Sequence, residues 1–95
     1  MRKYEPKPLD TSDVELSSEI LNLTEELAEQ IHEIWAEGRL SQCWSHGETR
    51  DDARRQTPCL VSYDSLPEIE KEYDRNTAIA TLKLIIKLGY KTEKI

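Results

Sequence analysis

The stretch "SEILNLTEELAEQIHEIWAEG" (residues 18–38) decides how this chain is read. Turned by 100° per residue, Ile20, Leu23, Leu27, Ile31 and Ile34 fall on one stripe, while Glu26, Glu29, Gln30, Glu33 and Glu37 fall on the opposite face. That period predicts a surface helix over residues 18–37 with one buried side. Ser17 or Ser18 offers a side-chain oxygen to an orphan amide of the first turn. Glu19 suits the positive end of the macrodipole, and Gly38 is the expected stop.

A second feature lies on the flank of this helix. Ala28, His32, Trp35 and Arg39 share a narrow band beside the stripe. His32 and Trp35 are three residues apart, so they are neighbours on the helix surface. Ala28 leaves room next to them. An indole, an imidazole and a guanidinium therefore meet at the border between core and solvent. Both tryptophans, Trp35 and Trp44, and both histidines, His32 and His46, fall within one short segment.

Working outward, residues 1–16 carry Pro6 and Pro8, which bias the chain to an extended path. This reads as an arm that packs Tyr4, Leu9, Val14 and Leu16 on the body. Beyond Gly38 the periodicity fades into a long polar connection, a form that often carries function. Asp51, Asp52, Arg54 and Arg55 suggest a tight turn with local ion pairs. Pro58 to Tyr63 reads as a short extended segment that pairs near residues 43–46. Ser65 and Glu68 form a capping box around Pro67, predicting a short helix to about Tyr73. Asp74 or Asn76 then caps a new helix to Leu88, buried through Ala78, Ile79, Leu82, Ile85 and Ile86. Gly89 ends it in a left-handed cap, with Tyr90 packed back near Ile85, and residues 91–95 form a tail. The expected fold is mainly α. It has two main helices, a short third one, and short β-like segments in the long connection, all in a single domain over residues 1–95.

Composition narrows the function. The chain has 95 residues and a net charge of −6, which disfavours nucleic acid and anionic lipid as partners. No apolar run approaches the roughly 20 residues of a membrane span. The N-terminus has no apolar core of the kind a signal peptide needs, so the expected compartment is the cytoplasm, with Cys43 and Cys59 as free thiols. There is no phosphate-binding Gly-rich loop, and "HEIWA" has Ala where a zinc protease needs its second His, so catalysis is not expected. His32, Cys43, His46 and Cys59 are zinc-type ligands, but their spacing matches no familiar finger, and neither a metal nor a cofactor is expected.

The motifs occur in an order that resembles the RyR repeat, the module named after ryanodine receptors. They are the H-E-x-W of residues 32–35, the C-W-S-H-G loop of 43–47, the R-D-D of 50–52, the P-C-L-V-x-Y-x-x-L-P of 58–67, and the E-K-x-x-D-R-N-T…T-L-K…G-Y of 70–90. The resemblance runs from Tyr4 to Tyr90, and is to a single repeat of the prokaryotic or phage type. Two positions depart from the family pattern: Cys43 stands where Gly is usual before the second tryptophan, and His46 where Tyr is common. The resemblance implies a soluble module whose copies pair around a cleft. In one such pair the cleft accepts an adenine nucleotide. It also implies that His32 and Trp35, with Arg50 following in the loop, are the site residues.

Residue reading and resemblance thus point to one expectation: a non-enzymatic, nucleotide-like ligand site. In it Trp35 stacks on a ring, His32 bonds its edge or sugar, and Arg50 meets an anionic group, with Arg39 and Trp44 behind them. A homodimer is the natural way to complete a cleft built by one repeat. Each residue also has a plainer reading: Trp35 and Trp44 as core, His32 as a structural histidine, Arg50 as a local salt-bridge partner. A second function class uses the glutamate face of the first helix as a protein-interaction surface.

Overall fold

In the computed structural model, residues 3–95 are described, and the chain bends twice to lay two long helices against each other. Helix α1 is a single turn, Ser18–Leu21, capped as expected by Ser17, whose Oγ accepts from the Ile20 amide at 3.2 Å. The predicted continuous helix is then interrupted at Asn22 and Leu23. Leu23 N–H bonds back to the Ile20 carbonyl three residues away, and Thr24 Oγ donates to the Leu21 carbonyl at 2.7 Å. Thr competes locally for backbone groups in this way. Helix α2 restarts at once and runs Thr24–Ser41.

Gly38 does not end α2, which passes through it in helical geometry. The left-handed residue is Cys43 (φ 66°), and the amides of Cys43 and Trp44 bond back to the carbonyls of Leu40 and Arg39, both at 3.0 Å. That is a Schellman cap with Cys where Gly is favoured. Helix α3, Glu68–Lys87, ends in the same motif with Gly89 (φ 101°), whose successor Tyr90 bonds through its amide to the Ile85 carbonyl. The Tyr90 ring itself is exposed rather than packed back.

The predicted break near Tyr73 is absent, and α3 is one unbroken helix. Thr77 and Thr81 turn their hydroxyls onto the carbonyls four residues earlier, and Arg75 bonds Glu68 and Glu72 on the same helix. Asp74 and Asn76 thus sit mid-helix instead of capping. Ser65 does not cap either: it lies in a 3-10 turn, Tyr63–Ser65, its hydroxyl 3.0 Å from that of Ser62.

The packed face of α2 is rotated from the predicted stripe. Leu23 and Ile34 are 44% and 72% exposed, whereas Ala28 is fully enclosed and His32 is 4% exposed. The helix turns the small side chain of Ala28 to the neighbouring segment, and Tyr63 and Leu66 close over it with Cys59 and Val61. Glu26, Glu29, Gln30, Glu33 and Glu37 are solvent-facing, as the pattern predicts. Arg75 of α3 reaches across to Glu25 of α2, which also accepts from the Tyr63 hydroxyl at 3.2 Å.

The connection holds a two-residue parallel pair, β1 (Ser45–His46) with β2 (Gln56–Thr57). The partner segment is thus the one just before Pro58, not Pro58 to Tyr63. Pro58 has no N–H to continue a ladder, and the chain beyond it turns into the 3-10 segment. Asp51 and Gln56 exchange a backbone bridge that closes the loop between, with Arg54 near Asp51 at 3.7 Å. In the arm, Tyr4 and Leu9 are exposed, contrary to expectation, and Val14 and Leu16 are half-buried. Lys87 holds Asp13 at 3.0 Å.

Candidate ligand cleft

The rotation of α2 has a direct consequence for the flank residues. His32, Trp35 and Arg39 recur every three or four positions and face the same way. With the loop and α3 they wall an open cleft of about 410 Å³. The loop contributes Arg50, Thr57, Pro58 and Cys59, Leu66 reaches in from the core, and α3 supplies Glu70, Tyr73 and Asp74. Four of the five residues singled out from sequence are therefore neighbours here. Trp44 is not on the wall. It is half-buried behind Arg39, whose guanidinium lies 4.7 Å from its ring centroid and 5.7 Å from that of Trp35. A cation between two indoles holds Arg39 in place.

His32 is mostly enclosed and ties α2 to the loop. Its Nε2 donates to the Val61 carbonyl at 2.7 Å, since a carbonyl only accepts. Its ring stacks on Trp35 with centroids 5.6 Å apart and an interplanar angle of 25°, and meets Tyr63 at 6.4 Å. The imidazole thus sets the tilt of the half-buried indole. Both the structural and the cleft-lining readings of His32 hold in one geometry.

The two arginines differ. Arg50 pairs with Asp52 at 2.8 Å, both side chains exposed, and this pairing raises the arginine further above its ordinary value and lowers the carboxyl. Among the described residues Arg39 makes no ion pair. Arg39 is therefore the freer anion partner of the two.

Glu70, Tyr73, Asp74, Thr57 and Cys59 were not named from sequence as ligand-site residues. The i, i+3, i+4 spacing of the first three was the available signal, but the expected break at 73–74 split it. Burial raises the Asp74 carboxyl, His32 opposes that shift, and Glu70 adds to it. The Cys59 thiol is pushed up by burial and by Glu70. The zinc-type residues divide between faces: His32 and Cys59 line this cleft, and His46 a hollow on the other side of α2. Among the described residues no helix is long and apolar enough to cross a membrane.

The sequence model of the RyR domain matches residues 4–94, nearly the whole chain. The chain belongs to the RyR domain family. In this RyR domain Cys43 holds a left-handed backbone geometry that favours glycine, at a local cost.

Proposed function

We propose that this RyR domain is a non-enzymatic cytoplasmic module that binds a small nucleotide-like ligand in the cleft between α2, the loop and α3. The observation that carries the reading is Trp35. Its indole lines the cleft, with the His32 ring stacked on it, the Arg39 guanidinium over its ring and Arg50 lining the same cleft. A planar base stacks on such a face, and a guanidinium accepts its phosphate through paired hydrogen bonds. The raised Cys59 thiol stays protonated at neutral pH, which argues against a thiolate nucleophile in the cleft.

In this reading a homodimer closes the cleft that one repeat leaves open. Ile69 and Tyr73, one turn apart on α3, are 71% and 69% exposed, and Tyr73 lines the cleft. The first test is a titration with ATP, ADP, cyclic nucleotides and NAD, followed by tryptophan fluorescence. Binding of one of them below millimolar concentration supports the reading, and silence from all of them removes it.

A second reading, a protein-interaction module, rests on the outer side of α2. Ile34 and Leu40, 72% and 60% exposed, lie beside Glu33 and Glu37. A pull-down that survives Trp35→Ala and fails after charge reversal of Glu26, Glu29 and Glu33 favours it.

A further inference from the structure

The N-terminal arm is exposed along its length. Residues 3–10 belong to no helix or strand, and Tyr4 and Leu9 are 87% and 55% exposed. Among the described residues, no hydrogen bond or ion pair ties residues 3–9 to the body. The first anchors are Asp13, held by Lys87, and the half-buried Val14. Pro6 and Pro8 favour an extended helix of three residues per turn. In that form Lys3, Pro6 and Leu9 make one ridge. Tyr4, Lys7 and Asp10 make the next, with Asp10 already bonded to the Ser12 amide, and Glu5 and Pro8 make the third. Two adjoining ridges thus present two lysines, a phenol ring and a leucine, with Glu5 turned away.

The outer side of α2 has the matching character. Glu26, Glu29, Glu33 and Glu37 follow one another at three- and four-residue steps, where like charges repel. Among the described residues none of these four pairs with a cation. Beside the row, Ile34 and Leu40 are exposed. Leu40, Ala36, Leu60 and Val61 border an open hollow of about 480 Å³ next to β1. Glu33 lines that hollow, and among the described residues no lysine or arginine does. The spacing matches as well. Lys3 and Lys7 lie about 12 Å apart at ~3.1 Å per residue in the extended helix. Glu29 and Glu37 lie about 12 Å apart at ~1.5 Å per residue along α2.

We infer that the arm of one copy docks on the outer side of α2 of a second copy, with Lys3 and Lys7 on the glutamate row and Tyr4 in the hollow beside Leu40. In a symmetric pair the exchange is reciprocal, so both arms and both glutamate rows are covered at once. The inference rests on the interaction reading of this face and names its partner. The nucleotide cleft, on the other side of α2, takes no part.

The test is sedimentation equilibrium across a concentration series. The full chain is expected to pass from monomer to dimer as concentration rises. Removal of residues 1–10 is expected to leave a monomer throughout, with helical circular dichroism retained. In the full chain, Glu29→Lys with Glu37→Lys is expected to weaken dimerisation at least about tenfold. Adding Lys3→Glu and Lys7→Glu to that variant is expected to restore it, which a loss of folding would not allow. A dimer that survives arm removal forms through another face and overturns the exchange. Dimerisation indifferent to the charge reversals overturns it too. So does a full chain that stays monomeric, its arm then free or folded on its own α2. None of these results removes the interaction reading, which the pull-down with the glutamates reversed tests separately.

Discussion

Cys43→Gly should stabilise the protein, and the size of the gain follows from one dihedral angle. Cys43 sits at φ 66° in the cap that ends α2, with its side chain exposed. A residue with a Cβ in the left-handed region costs about 1–2 kcal/mol. Glycine removes that strain but gives back about 0.5–1 kcal/mol through the freer unfolded chain. The net expectation is a gain of about 0.5–1 kcal/mol. For a domain of this length that raises Tm by about 2–8 °C. Cys43→Ala is the control, because it deletes the thiol and keeps the Cβ, and it should stay within about 0.5 kcal/mol of the parent. Thermal melts followed at the helical circular dichroism band under reducing conditions measure all three. A glycine variant that melts at or below the alanine variant refutes the strained cap.

The remaining predictions concern packing and titration. Ala28→Leu should cost about 1–3 kcal/mol in urea unfolding, because Ala28 is fully enclosed beneath Tyr63 and Leu66. Ile34→Ala should change stability by less than about 0.5 kcal/mol, because Ile34 is 72% exposed despite its place in the predicted stripe. Asp74→Asn should melt above the parent at pH 7, with the gap closing toward pH 3. Burial raises the folded carboxyl of Asp74, so its stabilising contribution is complete below the unfolded pKa and is lost as pH rises through the folded one. An Asn variant no more stable than the parent at pH 7 contradicts that sign.

The helical architecture was readable because α2 and α3 carry long apolar and acidic periods and α3 carries a glycine at its stop. The orientation of α2 was not. Hydrophobicity favoured the Leu23–Ile34 stripe, but Tyr63 and Leu66 pack where the side chain is small, at Ala28, and periodicity does not weigh closeness of approach. The end of α2 was misplaced for a related reason. Gly38 is helical, and the left-handed position fell to Cys43, a residue type that rarely announces one. At the cleft, His32, Trp35 and Arg39 were legible as a flank band, and Arg50 only through the family resemblance. The α3 wall was hidden because Asp74 and Asn76 look like caps when read alone. The Arg75 pairs and the threonine hydroxyls that carry the helix through them come into view only once partners are placed.

The central claim is that the Trp35 indole stacks on a ligand ring, and Trp35→Ala tests it most directly. Calorimetric titration with AMP, run on the parent and on the variant, gives the comparison. Loss of the stacking face should weaken binding by about 1–3 kcal/mol, roughly 5- to 150-fold, while the fold is retained. Equal affinity of parent and variant for AMP, or no heat from the parent at millimolar AMP, contradicts the account.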